Sequence, residues 1–142
     1  MKTQCFALAA LLMSSTATFA GVCGPDRDTD IPVMEASKAA FLNADYRKFV
    51  ELGGDYFPDL DSNFNNYFGQ IQVVFPNGFE RCETVLQRRE APGFNQDLTF
   101  YFPKGSPAPL ALLLVSVTVG GEERLIEFTY NTSISEVVDD LN

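Results

Sequence analysis

From Pro32 to Phe75 the apolar residues recur three and four positions apart, and from Phe79 onward they recur every second position. In "PVMEASKAAFLNADYRKFVEL", Val33, Ala36, Ala40, Phe41 and Ala44 predict one buried helical face, opened by Pro32 because proline suits a first helical turn. Asn43 breaks that helix. Asp45 can cap a second one, carrying Tyr46, Phe49, Val50 and Leu52 and ended by Gly53-Gly54. A third stripe, Phe64, Tyr67, Phe68, Ile71 and Phe75, stops at Pro76-Asn77-Gly78.

The period-two region predicts two hairpins. "FERCETVLQRRE" and "QDLTFYF" flank Pro92-Gly93, a pair that suits a type II turn. If Ala91 faces Phe94 across it, Val85 lies opposite Phe100, Gln87 opposite Leu98 and Arg88 opposite Asp97. "ALLLVSVTV" and "RLIEFTYNTS" form the second hairpin through residues 120–123. There the odd positions Leu113, Val115, Val117 and Val119 face Ile126, Phe128 and Tyr130, while Ser116 and Thr118 share the other face with Glu127 and Thr129. A one-residue slip would destroy that match. The sheet thus has one apolar face for the helices to cover. Residues 133–142 close the chain as a short capped helix. Helices first and antiparallel strands after imply an α+β fold, with N-terminal helices packed on one face of a four-stranded antiparallel sheet.

The first twenty residues change the picture. Lys2, an apolar run from Cys5 to Met13 and the ending Thr18-Phe19-Ala20 read as a cleavable secretory signal. The apolar run is about nine residues, against roughly twenty needed to cross a bilayer. Cleavage after Ala20 leaves a single domain, residues 21–142, in the periplasm or outside the cell. Val22 precedes Cys23 where a lipoprotein signal requires a small residue, so no lipid anchor is expected. Two cysteines then remain, and Cys23 to Cys82 is the simplest pairing in an oxidising compartment. A free buried thiol and a catalytic cysteine are the alternatives. Since Cys82 is placed opposite to Val85, the strap carrying Cys23 is expected on the outer side or edge of the sheet, near Leu86.

Charge and missing residue types narrow the function. The full chain carries −9 and no histidine. Nucleic-acid binding needs a basic face, which is absent, and anionic membrane surfaces are excluded on the same grounds. Without histidine there is no Ser-His-Asp or Cys-His constellation and no ordinary zinc site. No phosphate loop or dinucleotide fingerprint occurs, so no cofactor or catalytic residue is assigned. "DRDTD" and "DLDSNFN" start like calcium loops, but Ile31 and Phe64 stand where the loop needs glycine. Asn131-Thr132-Ser133 matches a glycosylation acceptor, which matters only in a eukaryotic host.

On the first strand, Glu83, Gln87 and Arg89 fall on the face of Val85, and inward polar groups need partners or a wet cavity. One reading is a ligand pocket completed by Tyr130, in which Arg89 holds the anionic group of an apolar ligand. The other is that Glu83 and Arg89 lie near strand ends and reach water. An exported domain that binds a small apolar ligand or a protein partner without catalysis is the resulting expectation. The alternative is a small cofactor-independent isomerase or dehydratase using a buried carboxylate, for which Glu83 is the candidate.

The order of elements, with "AFLNADYRKFVEL" ahead of long antiparallel hairpins, resembles the cone-shaped α+β roll of nuclear-transport-factor-like, SnoaL-like and ketosteroid-isomerase-like proteins. The resemblance covers most of residues 33–131. It implies a cone-like roll in a superfamily that includes isomerases, cyclases, dehydratases and many non-catalytic binding domains. None of its catalytic motifs matches, so no catalytic residue carries over. The export signal, the cysteine pair and a helical tail depart from the pattern. A cystatin-like helix on a sheet is the nearest alternative.

Overall fold

The computed structural model describes residues 21–25, 27–57 and 59–141; the predicted signal, with Cys5, lies outside the described residues. Helix α1 spans Pro32–Leu42, with the proline in its first turn. Asn43 caps its end, and Ala44 turns the chain at φ 56°. Helix α2, Tyr46–Gly53, begins where the Asp45 carboxylate accepts the Lys48 N–H at 3.1 Å. A single 3₁₀ turn, Gly54–Tyr56, follows. Helix α3 runs Phe64–Val74. Strands β1 (Phe79–Glu90), β2 (Phe94–Pro103), β3 (Leu110–Val119) and β4 (Glu122–Asn131) form one antiparallel sheet in the order β1-β2-β3-β4. Helix α4, Ile134–Asp139, closes the chain. The fold is α+β, with the N-terminal helices on one face of an open four-stranded sheet.

Besides a register shift between Phe79 and Arg81 at the start of β1, three features differ from the simple alternation. The first hairpin turns at Glu90–Gly93, closed by the Gly93 N–H donating to Glu90 O at 2.8 Å, with a cis Ala91-Pro92 bond at its centre. Phe94 therefore faces Glu90, not Ala91, and Gln87 faces Asp97. That geometry, with a cis proline in third place, replaces the expected type II turn. Next, an irregularity between Thr84 and Leu86 leaves Val85 unpaired and exposed. The third is a bulge opposite Val115 and Ser116, so Phe128 pairs with Leu114 and Tyr130 with Leu112, not with the odd positions. Each bulge adds one residue to one strand and flips the alternation beyond it.

The consequence is a sheet with apolar residues on both faces. Leu110, Leu112 and Leu114 join Met34, Phe41, Phe49, Phe68 and Tyr101 under the helices. Leu98, Ala111, Leu113 and Val115 point the other way and pack on Val137 of α4. The central strand β3 is thus buried on both sides, which explains its unbroken "LALLLV". Aromatic side chains dominate the helix side: the Phe41 ring lies 4.9–6.0 Å from those of Tyr46, Phe49, Phe79, Tyr101 and Tyr130.

Cys23 and Cys82 form a disulfide with Cα atoms 4.7 Å apart. It sits on the helix side of the sheet, with Cys23 only 2% exposed. Of the two expected courses the strap takes the edge and not the outer face near Leu86: it runs along the free edge of β1, where Thr84 N–H donates to Cys23 O at 2.7 Å. The extra residue at Val85 is the reason, since it lets Cys82 and Thr84 share a face with Gln87 and Arg89.

Candidate functional site

The four residues expected to line a pocket do not converge. Glu83 pairs with Phe100 on the outer face and is exposed, with Arg81 Nη1 3.7 Å away. It is not the buried carboxylate that acid–base chemistry would need. Gln87 and Arg89 do face the helices and both are engaged, although Arg89 Nη2 is buried with no hydrogen-bond partner among the described residues. Gln87 Nε2 donates to Asp30 Oδ1 at 2.7 Å, and Gln87 Oε1 accepts from Thr29 at 3.0 Å. Arg89 Nε donates to Thr29 O at 3.0 Å, and its Nη1 reaches Asp97 Oδ1 at 2.5 Å. Tyr130 lies on β4, three strands away, or about 14 Å at the usual strand spacing. Arg88, expected opposite Asp97, instead pairs with Gln96 on the outer face and donates to Leu141 O at 3.0 Å.

In place of a pocket the helix side of β1 and β2 holds a closed ion cluster. Lys38 of α1 pairs with Glu35 one turn earlier and with Asp97 Oδ2 at 2.6 Å. Arg89 completes the set on the other Asp97 oxygen. Two carboxylates and two cations sum to zero, which is what a water-poor site demands. Tyr101 donates to Lys38 O at 3.2 Å, and burial raises its pKa well above the usual value. The sequence contained a signal for this cluster that the apolar stripe alone misses: Met34, Lys38 and Phe41 are spaced i, i+4, i+7 on one face. These charges lie between α1, β2 and the strap, with Arg89 partly exposed, and they hold those elements together.

Open concavities lie elsewhere, one of about 480 Å³ beside α2 and the 3₁₀ turn and others along β4. Two cavities of about 570 and 280 Å³ share Gln70 and Tyr130, and so form one groove between α3 and β4. The α3 wall is Asn66, Tyr67, Gln70, Ile71 and Val74; the 3₁₀ turn adds Tyr56, and Phe57 follows it. Phe57 can lie against the end of α2 because Gly53 has no side chain there; a Cβ would stand 1.8 Å from its ring. On the β4 side the lining is an unbroken run from Ile126 to Thr132. Residues of both faces take part, so the groove follows the strand's edge. Tyr130 donates its hydroxyl to Tyr67 O across the floor, and burial raises its pKa, which keeps the donor protonated. Tyr56 and Tyr67 remain more than 40% exposed, and Val74 is more than half exposed. The charged residues of the lining are Asp59 and Glu127, both acidic. Of the expected site residues, only Tyr130 belongs to this groove.

Among the described residues no cluster of histidine, cysteine or carboxylates could hold a metal ion, and no helix is long and apolar enough to cross a membrane. The chain matches no protein-family model, no curated protein and no solved structure.

Proposed function

We propose that the protein is an exported, non-catalytic binding domain whose ligand occupies the groove between α3 and β4. The observation that carries this reading is the combination of exposed Tyr56, Tyr67 and Val74 with an open cavity along one strand edge. Exposed aromatic and aliphatic side chains gathered around a concavity favour a binding site, whereas ones scattered singly, such as Val85 and Val138, are ordinary surface. The Cys23–Cys82 disulfide supports an oxidising compartment, in line with the leader. Carboxylates buried beneath α1 do not favour catalysis, because Lys38 and Arg89 neutralise them and the cavity that touches Glu35 is only about 10 Å³.

The test is amide NMR mapping of the mature chain against a panel of capped aromatic and aliphatic tripeptides and fragment-sized amides. Shifts should concentrate on Tyr56, Tyr67, Gln70 and Glu127 to Tyr130, and Tyr67→Ala should weaken them without loss of fold. Shifts gathered on Gln87 and Arg89, or none at millimolar probe, would overturn the groove as the site.

A further inference from the structure

The two free edges of the sheet are treated differently. Along β1 the edge is occupied: the strap lies on it, Thr84 N–H is taken by Cys23 O, and the irregularity at Val85 interrupts the ladder. At the other end of the strand order, β4 has no neighbour beyond it, and none of the backbone bonds formed by turns and loops in the described residues engages it. An edge strand presents a row of N–H and C=O groups to any chain that can lie beside it. Here that row opens into a groove rather than onto bulk solvent, because α3 and the 3₁₀ turn rise alongside.

We propose that the groove's occupant is an extended basic peptide segment of another protein, which adds to the sheet as a strand beside β4. This rests on the groove being the binding site. Three features fix the chemistry. Beyond the bulge, β4 is regular from Glu127 to Asn131, long enough for about five residues at 3.3 Å each. An added strand alternates its side chains, so one set would point towards Tyr56, Phe57 and Tyr67 and the other towards Glu127 and Thr129. Finally, the groove offers Asp59 and Glu127 with no lysine or arginine, on a chain of net charge −9. Charge complementarity therefore selects lysine or arginine at alternate positions and apolar residues between them. A second copy of this chain fits poorly, since it would bring acidic β4 strands together.

The probes are three capped hexapeptides: alternating lysine with valine and phenylalanine, the same with glutamate for lysine, and the lysine peptide N-methylated at every second residue. Titration calorimetry and amide exchange on the mature chain read the outcome. The lysine peptide should bind, weaken at least tenfold with N-methylation, weaken with salt, and protect β4 amides from exchange. Glu127→Lys should cost tenfold or more while the thermal midpoint stays within a few degrees. If the N-methylated peptide binds equally well, strand addition is wrong although the groove reading survives. Binding of the glutamate peptide with equal strength overturns the basic occupant. Failure of all three while neutral tripeptides still shift the groove's amides also overturns this inference alone; failure of both removes the groove reading with it. Concentration-dependent dimers lost in Glu127→Lys would assign the edge to a second copy and overturn it too.

Discussion

Lys38 Nζ stands 2.6 Å from Asp97 Oδ2 with both side chains closed off from water, so α1 is fastened to β2 by a buried ion pair. Its balance depends on Glu35 and Arg89, which supply the second anion and the second cation.

Removing one member should therefore be costly. Lys38→Met leaves two buried carboxylates facing one cation, and breaking such a set typically costs about 3–5 kcal/mol. Urea unfolding of the mature chain measures this. Arg89→Ala should also lower the midpoint, because Asp97 loses its second partner. Replacing all four with apolar residues of similar volume should recover most of the loss, since a well-packed apolar cluster has no desolvation to offset. A Lys38→Met protein as stable as wild type would show that the carboxylates find water in solution.

Much of the fold was legible in the sequence. The three N-terminal helices, four strands and terminal helix follow from periodicity, Pro32, Asp45 and the glycine-rich turns, all local signals. The register was not. A type II turn and a cis-proline turn differ by one residue, and the sequence "EAPGF" does not separate them. The bulge at Val85 then inverts the alternation again, which is why Gln87 and Arg89 face inward as expected while Glu83 does not, and the one at Ile126 does the same on β4. The site was less legible still. The inward face of Tyr130 is legible in the sequence, yet its neighbours in the groove come from α3 and the 3₁₀ turn, whose approach to β4 is a long-range packing event. That Lys38 is buried could be read from its place between Met34 and Phe41, but its partner Asp97 required the true register.

The disulfide should matter more than its position on a polar strap suggests. Closing a 59-residue separation is worth about 4 kcal/mol in the chain-entropy account, less where the unfolded state is compact. Its loss also frees the strap that closes the ion cluster through Thr29, Asp30 and Cys23. Reduction, or Cys23→Ser, should lower the urea midpoint and raise amide exchange at Thr84 before the rest of the sheet opens. Thiol titration of the denatured, unreduced mature chain, which lacks Cys5, should find none free. A Cys23→Ser protein with wild-type stability would leave the bond without an energetic role.

Alkaline pH provides an independent probe of the aromatic core. Burial pushes the Tyr46 pKa up to about 12, with the neighbouring Tyr130 hydroxyl adding to it, and its own hydroxyl has no hydrogen-bond partner among the described residues. A folded pKa above the unfolded 10 means that the folded state holds the proton more tightly. The associated stability is complete below pH 10 and is lost as pH rises through about 12, amounting to about 2–3 kcal/mol. Tyr101 and Tyr130 shift in the same direction through burial and steepen the loss. Tyr46→Phe separates the two roles of the side chain. It keeps the ring contacts with Phe41 and Phe68 at 5.3 and 5.1 Å and removes an unpartnered buried hydroxyl. At neutral pH the variant should match or exceed wild type, because no bond is broken and a desolvated group is removed. Above pH 10 it should lose stability less steeply. A Phe variant that is weaker at neutral pH and parallels wild type in alkali would mean that the Tyr46 hydroxyl reaches water in the folded protein.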